Sequence, residues 1–511
     1  MVEMVRLCLR QIDCCNGFLI FKVMKKMFKK KYSVLLLLLV AATYFVACNK
    51  KWDEHNEITD PAIANNLYQA ISKNTGLAKF SDLLVKSGYD KVIATSKTYT
   101  VWVPTDQALA TLDPAIVSDS AKLRAFVGNH IANLAYPTGA ADQRVPMLNG
   151  KYNLFAGSKF DSANITIANA YAANGVYHVI DKFIPRIDNC WEYLNNSTAY
   201  PLFKTAVANL NYAFFDSTKA TQIGSDPLTG APIWDSTNAK LTRNNFLDQV
   251  QNIADEVNQY TLIMLADNSF TTEYDKLSPW FKTATNNADS TKNLASYHLI
   301  KDLAFKGSYS VAQLPDTLIS TFGVKVPINK TKIIASYKTS NGYVHIMSQV
   351  DFNLLYKFPP IIIEGETPTA FATTDRGFYT YYRVRVNPNN GLTFKDILMQ
   401  NYGFANYFIN YRLRAIPAMR YNASWVAVND VQTTPLWAQR LVVDSTSNLS
   451  MPATFTQTVA YKNYSEIALG QFNILTYRST FNMYVIGPTS SSTVSGINSI
   501  TLDYIKLTPA F

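Results

Sequence analysis

One arrangement of sequence elements occurs twice in the chain, and this repeat restricts the possible folds more than any other feature. An apolar segment ends in a polar turn at Tyr99–Asp106 and again at Tyr260–Asp267. Each copy continues with a helix-like stretch and ends with a strand-like run. Two histidines mark these stretches, 48 residues apart in the first copy and 47 in the second: His130 and His178, then His298 and His345. Because chance rarely repeats such an order, the sequence predicts two tandem modules with one fold.

An Asn-Gly dipeptide precedes the second histidine in both copies, at Asn174-Gly175 and Asn341-Gly342. Both residue types tolerate positive φ, so the dipeptide predicts a tight turn into the following strand. Amphipathic helix-like stretches, Phe80–Leu84 and Leu202–Val207, precede the two apolar segments. The order of predicted helices, strands and turns is therefore the same in both copies.

These motifs resemble those of the fasciclin-like family. The family's Thr-Val-Phe-Ala-Pro-Thr-Asp strand and turn is matched by Thr100–Asp106, and its closing Gly-x-Ile-His-x-Ile-Asp motif by Gly175–Asp181 and, less well, by Gly342–Ile346. The positions that carry the resemblance are Thr100, Pro104, Thr105, Asp106, His130, Gly175, His178, Asp181, Asp267, His298, Gly342 and His345. The resemblance implies an α+β fold with two tandem fasciclin-like modules, each a β-wedge with packed helices, at 60–189 and 190–356.

The second module departs from the family pattern. Leu265-Ala266 replaces the Pro-Thr pair before Asp267, and about 40 extra residues, 215–255, separate its first helix from its first strand. A role that depends on Pro-Thr is therefore not expected there. The resemblance implies adhesion or ligand binding and no common catalytic centre.

The polar residues of the motifs have a structural interpretation. Asp106 and Asp267 lie where a strand turns into a helix, where a carboxylate caps exposed N–H groups. A histidine among apolar neighbours can donate one ring nitrogen to a backbone carbonyl. The alternative, an acid/base pair of His130 and His178, lacks a nucleophile with a recognisable elbow. We therefore predict fold-stabilising roles and no enzyme activity.

The C-terminal third reads as short strands separated by Gly, Asn, Pro and Ser clusters, which predicts an all-β, jelly-roll-like sandwich at 365–511. Ile497–Pro509 resembles the last strand of galactose-binding-like jelly rolls. Such sandwiches often bind sugars by placing aromatic faces against the apolar face of the ring. The candidate glycan contacts are Trp425, Trp437, Tyr421 and Tyr464.

The N-terminal segment, residues 1–47, has the features of a secretory signal. A cationic stretch, Lys25–Lys31, precedes the apolar run Val34–Val40, and Phe45–Cys48 resembles a lipoprotein processing box. Residues 1–23 fit no part of a signal and suggest an over-extended start. We expect lipidation at Cys48, a tether at 48–59 and a place on the outer membrane facing the exterior. An uncleaved membrane anchor is the alternative.

Cysteine usage and charge restrict the remaining possibilities. Beyond Cys48 the mature chain would contain only Cys190, so we expect no intrachain disulfide, metal site or cofactor, and Cys190 itself as a buried apolar residue. Residues 1–47 contain eight Lys and Arg against two acidic residues, or +6, which leaves about +4 of the net +10 for the rest. No basic stripe remains for nucleic acid.

Two functions from different classes fit these predictions. One is a cell-surface adhesion protein that binds a protein partner through its fasciclin-like modules. The alternative is a glycan-capture accessory of an outer-membrane polysaccharide uptake system, with oligosaccharide bound by the sandwich. Exposed aromatic side chains converging on the sandwich favour glycan capture, whereas a broad apolar patch on a fasciclin-like module favours protein contact.

Overall fold

The computed structural model describes residues 64–139, 141–235, 237–372, 377–443, 455–493 and 496–511. The predicted signal segment, Cys48 and the tether lie outside these ranges. Within them, no helix has the length and apolar character needed to cross a membrane. The chain forms two compact units: the first ends at Pro185, and the second contains Arg186–Phe511 together with Gly150–Tyr152.

The first unit combines short helices with a mixed sheet. Its α-helices are α1 (Leu67–Ser72), α2 (Ala78–Ser87), α3 (Tyr89–Ile93), α4 (Pro114–Ser118) and α5 (Ser120–Gly128). Its strands are β1 (Tyr99–Pro104), β2 (Ile131–Asn133), β3 (Gln143–Pro146), β4 (Tyr152–Ala156), β5 (Lys159–Phe160), β6 (Ala163–Ala172) and β7 (Gly175–Ile180). The sheet order is β2-β1-β7-β6-β5-β4-β3, with β1 parallel to β7.

Strand β1 is buried along its whole length because it has apolar layers on both faces. Val101 and Val103 contribute to the core beneath the helices. Trp102 points to the opposite face and stacks on Phe160, with ring centroids 4.2 Å apart. Burial on both faces explains why β1 reads as a continuous apolar run rather than an alternating one.

The second unit begins with a related set of elements. Its helices are α6 (Cys190–Asn196), α7 (Pro201–Ala208), α8 (Asp267–Leu277), α9 (Ala288–Ile300) and α10 (Leu354–Lys357). Its strands up to residue 347 are β8 (Asn211–Phe215), β9 (Thr221–Ser225), β10 (Pro232–Asp235), β11 (Lys240–Asn244), β12 (Tyr260–Leu265), β13 (Ala304–Lys306), β14 (Thr317–Ile319), β15 (Lys325–Pro327), β16 (Ile333–Thr339) and β17 (Gly342–Met347).

The central sheet of this part repeats that of the first unit. Its order, β13-β12-β17-β16, corresponds to β2-β1-β7-β6. Strands β12 and β17 run parallel with Tyr260 opposite Gly342, as β1 and β7 do with Tyr99 opposite Gly175. The two modules predicted from the repeat therefore share one strand topology.

The extra residues of the second module form a substructure of their own. Strands β8 and β11 pair antiparallel, and β9 and β10 form a hairpin between them. A π-helical turn, Phe246–Val250, follows β11 and leads towards β12. In the first unit, by contrast, α3 is followed directly by β1.

The remaining residues form antiparallel sheets of a β-sandwich. Its strands are β18 (Ile361–Glu364), β19 (Ala370–Phe371), β20 (Thr380–Val386), β21 (Thr393–Gln400), β22 (Phe408–Ile416), β23 (Arg420–Val426), β24 (Ala438–Val443), β25 (Phe455–Thr458), β26 (Ile467–Asn473), β27 (Arg478–Ile486), β28 (Ser499–Leu502) and β29 (Tyr504–Ala510). The sheet orders are β18-β29-β23-β26, β19-β22-β27-β24-β25 and β20-β21-β28.

The second module and the sandwich share one apolar core within the second unit. Trp280 packs edge-on against Phe511, and Phe281 lies against Tyr477. The backbone also joins them, since the Tyr477 N–H donates to the Lys282 carbonyl at 2.8 Å. The boundary predicted between residues 356 and 365 therefore falls inside a single compact unit.

Candidate binding surfaces

The two motif aspartates cap a helix in each module. Asp106 Oδ1 accepts a hydrogen bond from the Lys79 N–H at 2.8 Å, in the first turn of α2. Asp267 Oδ1 accepts from the Leu202 N–H at 3.2 Å, in the first turn of α7. The capping role follows the prediction, but each aspartate caps the helix that precedes its strand in the chain. The contact thus fixes that helix to the end of the strand.

Two threonines in equivalent positions hold the segment that follows the neighbouring strand. Thr100 Oγ1 donates to the Leu134 carbonyl and accepts from the Tyr136 N–H, both at 2.8 Å. Thr261 Oγ1 donates to the Gly307 carbonyl and accepts from the Tyr309 N–H. The equivalence of Thr261 escaped the sequence interpretation, although Tyr-Thr begins both apolar segments.

The other motif residues of the first module also make local contacts. Thr105 Oγ1 accepts from the Ala108 N–H at 3.1 Å, a contact that Ala266 cannot make in the second module. Pro104 lies opposite Ile180 at the end of β1. Asp181 accepts hydrogen bonds from both the backbone and the side chain of Asn164.

His178 and His345 are equivalent in the two modules. His178 Nε2 donates to the Tyr136 carbonyl at 2.9 Å, and its Nδ1 accepts from the Asn169 N–H. His345 Nε2 donates to the Tyr309 carbonyl at 2.8 Å. Burial lowers the pKa of both imidazoles, so both are neutral near pH 7 and serve as fixed hydrogen-bonding groups.

His130 bridges the end of α5 to the segment after β7. Its Nδ1 donates to the Phe126 carbonyl, and its Nε2 accepts from the Ile184 N–H, both at 3.0 Å. Burial lowers the pKa of His130 to about 4. A ring with both nitrogens engaged and no access to solvent cannot act as a general base.

The predicted equivalence of His298 with His130 is wrong. The carbonyl of His130 accepts from Trp102 N–H, and the carbonyl that accepts from the corresponding Ile263 N–H belongs to Leu303. His298 instead lies in α9 and stacks on Phe281, with ring centroids 4.2 Å apart. Similar spacing along the chain therefore came from different helix lengths rather than from equivalent positions.

The glycines of the two Asn-Gly dipeptides allow a close approach between neighbouring parallel strands. A Cβ built on Gly175 would lie 2.0 Å from the Tyr99 carbonyl oxygen, and one on Gly342 would lie 1.8 Å from that of Tyr260. Their φ angles, +150° and +147°, also disfavour a side chain. Both glycines are required because β7 and β17 start directly beside β1 and β12.

The two asparagines of these dipeptides are buried hydrogen-bonding hubs rather than simple turn residues. Asn174 accepts from the Leu67 N–H and donates to the Ile93 and Thr95 carbonyls. Asn341 accepts from the Cys190 N–H and donates to the Ile253 and Asp255 carbonyls. Each asparagine therefore holds the first helix of its module. The burial of the asparagine distinguishes this role from that of a turn residue, and the sequence alone does not show it.

Cys190 is a buried structural residue, as predicted. Its side chain contacts the Thr339 hydroxyl, and burial raises the pKa of the thiol to about 12. A thiol that stays protonated near pH 7 is a poor nucleophile.

Three of the four predicted glycan contacts lie in the core of the sandwich. Trp425, Trp437 and Tyr421 are each 1% exposed, so the prediction that they stack on sugars is wrong. Tyr421 and Trp425 lie on β23, between β29 and β26, and both belong to the apolar core. The strand pattern alone could not show which face of β23 is covered.

Tyr464 lies beside a cluster of paired charges at the edge of the sandwich. Its hydroxyl accepts from Arg385, whose guanidinium also lies 5.7 Å from the ring centroid of Phe394. Arg383 and Arg385 both bind the buried Asp396, and both reach Asp430. We name Tyr464, Phe394, Arg383, Arg385, Asp396 and Asp430 the edge cluster. Apart from Tyr464, its polar residues were absent from the sequence prediction, because the cluster is assembled from four separate segments.

The hairpin β9–β10 presents a different kind of surface. Every residue of β10 is exposed, and so is nearly all of β9. Apolar side chains stand in solvent on this hairpin and beside it, with Leu228 at the turn 95% exposed: Phe215, Ile223, Leu228, Ile233 and Trp234. We name these five residues the hairpin patch.

The sequence comparison decides the nature of the first module. Residues 75–185 match the fasciclin domain family. No curated protein matches the chain in sequence. The fold class predicted from the sequence, α+β with fasciclin-like modules before an all-β jelly-roll-like sandwich, is confirmed.

Solved structures similar to the chain include a fasciclin domain pair and carbohydrate binding modules. A fasciclin (FAS1) domain pair from the insect cell adhesion molecule Fasciclin I is 15% identical, covers 55% of this chain and 98% of its own, and has a TM-score of 0.21. A family 35 carbohydrate binding module from Clostridium thermocellum is 13% identical, and the match covers 30% of this chain and 100% of the module, with a TM-score of 0.21. A family 6 carbohydrate binding module of a laminarinase from Zobellia galactanivorans is 10% identical, and the match covers 29% of this chain and 98% of the module, with a TM-score of 0.18.

The close strand approach in the fasciclin domain yields a direct test. We expect Gly175→Ala to lower the free energy of unfolding by about 2 kcal/mol or more, because the added Cβ collides with the Tyr99 carbonyl. Gly342→Ala should act similarly in the second module. Gly377→Ala is the matched control, since nothing lies within 4 Å of its Cβ position, and it should change stability by less than about 0.5 kcal/mol. Denaturant unfolding measures all three, and equal stability of the variants would refute the argument.

Proposed function

We propose that the chain is a non-catalytic adhesion protein, anchored at the cell surface, that binds a protein partner through its second fasciclin-like module. The hairpin patch is the observation that carries this proposal. Leu228 and Ile223 are 95% and 66% exposed. Exposed apolar side chains gathered on one small hairpin are typical of protein contact sites.

The position of the patch supports a binding role over a structural one. The hairpin belongs to the segment that the first module lacks, so the repeated fold does not require it. A two-stranded hairpin exposed on both faces is only marginally stable in water. A partner that covers Ile223, Leu228 and Trp234 would bury their apolar surface and stabilise the hairpin at the same time. His130, His178 and the two capping aspartates support no competing catalytic role, because internal hydrogen bonds occupy them.

Substitution of the hairpin patch tests adhesion. We expect the triple variant Ile223→Ser, Leu228→Ser, Trp234→Ser to lower attachment of protein-coated beads to the producing cells at least about tenfold, since contact residues of this type dominate binding energy. The variant should keep its stability because the replaced side chains are exposed. Leu134→Ser is the matched control, with an exposed leucine in the fasciclin domain. Undiminished attachment by a folded triple variant would overturn the proposal.

The proposed anchor is a lipid at Cys48, and the signal-like segment 1–47 supports it. We expect Cys48→Ala to abolish incorporation of labelled palmitate and to move the protein from the membrane fraction to the soluble fraction. Cys15→Ala is the control, because this cysteine lies before the expected processing site. Labelling that persists without Cys48 would contradict the anchor.

Glycan capture is the second candidate function, and the edge cluster is the observation that favours it. Two guanidinium groups are balanced by two carboxylates, so the cluster carries no net charge. Arg385, Asp430 and Tyr464 retain partial exposure and offer both donors and acceptors. A neutral sugar could stack on an aromatic ring there and exchange hydrogen bonds with these groups.

The surroundings of the edge cluster add exposed aromatic side chains. Tyr381 lies on the same face of β20 as Arg383 and is 49% exposed, and Tyr461 is 40% exposed. The predicted platform residue Tyr464 therefore remains a candidate contact, whereas the three core aromatics do not. An exposed aromatic group at one edge is the arrangement expected for oligosaccharide binding.

A glycan array with the chain from Trp52 onward tests this second function. We expect Tyr464→Ala to weaken binding of any retained oligosaccharide about tenfold or more, because it removes both the ring and a hydroxyl. Tyr171→Ala, an exposed tyrosine of the fasciclin domain, should leave binding unchanged. Silence of the unsubstituted protein across neutral glycans would exclude glycan capture without affecting the adhesion proposal.

A further inference from the structure

A cleft of about 470 Å³ opens in the second module, at the base of the segment that carries the hairpin. Its lining comes from α6, β8, β11, the π-helical turn and the residues after it: Trp191, Asn211, Thr242, Arg243, Asn244, Leu247, Asp248 and Asn252. The volume falls within the range of roughly 300–1,000 Å³ that small-molecule sites occupy. The cleft lies in the module rather than in the sandwich, and the adhesion proposal does not involve it.

Rigid elements hold the walls of the cleft. Trp191 is the second residue of α6, whose start is fixed by a reciprocal cap between Asn189 and Glu192. On the other side, the buried Asn244 donates to the Val207 carbonyl and to Asn211 Oδ1, and accepts from the Phe246 N–H. The π-helical turn that begins at Phe246 is thereby locked to β11. Such turns are frequent at functional sites.

The charges in the cleft are balanced. Arg243 binds Asp248 at 2.6 Å, and the Tyr212 hydroxyl donates to the other oxygen of Asp248 at 2.8 Å. The guanidinium also lies over the ring of Phe214, 4.7 Å from its centroid. Because each of these charges already has a partner, the cleft offers no unbalanced charge to an ionic ligand and is suited to a neutral one.

Polar groups without an internal partner remain available to a ligand. Within the described part of the chain, the Thr242 hydroxyl and the Asn252 side-chain amide make no hydrogen bond, and both residues are exposed. Trp191 and Leu247 provide the apolar part of the lining. The cleft therefore combines an aromatic ring with amide and hydroxyl groups, which matches a ligand with hydroxyls around an apolar face.

We infer that this cleft binds a neutral sugar unit, with Trp191 against the face of the ring and Thr242 and Asn252 hydrogen-bonded to its hydroxyls. The site is separate from the edge cluster and does not depend on it.

Saturation-transfer NMR on the chain from Trp52 onward tests the inference. The probes are millimolar glucose, galactose, mannose, N-acetylglucosamine and cellobiose. We expect transfer to at least one of them, and we expect Trp191→Ala to weaken its binding at least about tenfold. Thr242→Val and Asn252→Ala should each weaken binding roughly three- to tenfold, the effect of one lost hydrogen bond. These two exposed replacements remain informative if Trp191→Ala disturbs folding.

Matched controls separate this site from the others. Trp234→Ala removes an exposed tryptophan of the hairpin patch, and Tyr464→Ala alters the edge cluster; both should leave the transfer unchanged. Absence of transfer to every probe overturns the inference. Transfer that survives the Thr242 and Asn252 replacements also overturns it, and loss with Tyr464→Ala alone assigns the binding to the sandwich instead.

Discussion

The parallel pairing of one strand with the last strand of the module is the contact on which each fasciclin-like module depends. β7 starts beside β1 at Gly175, where no side chain fits, and β17 starts beside β12 at Gly342 in the same way. A buried asparagine directly before each glycine then holds the first helix of the module. The Asn-Gly dipeptide thus joins the sheet to the helices. This explains why it is present in the second module although the Pro-Thr pair is not.

Much of this could be predicted from the sequence, because short motifs determine local geometry. The repeat predicted the same order of helices, strands and turns in both modules, and the Asn-Gly dipeptides predicted the starts of β7 and β17. The capping role of Asp106 was also correct in kind. Its actual target, the Lys79 N–H, lies 27 residues away in the chain, and only the folded arrangement identifies it.

Other features depend on burial, which a strand pattern does not determine. Trp425 looks the same in sequence whether its face of β23 is covered or open, and the structure covers it. The predicted equivalence of His298 with His130 was wrong for another reason. Equal spacing does not imply equal position when the two helices differ in length, and Leu303 occupies the position that corresponds to His130. The cleft beside Trp191 was also missed, since its residues are dispersed between 191 and 252.

The common core of the second module and the sandwich has a consequence for biosynthesis. Phe281 reaches its partner Tyr477 only after about 200 further residues have been added to the growing chain. Until then, the part of the apolar surface around Trp280 and Phe281 that the sandwich covers stays open, and a nascent chain would present it to the surrounding proteins. The first module contains its own core and has no such delay. The order of synthesis therefore leaves the second unit incompletely packed for longer, whereas the first unit can form its core as soon as it has been made.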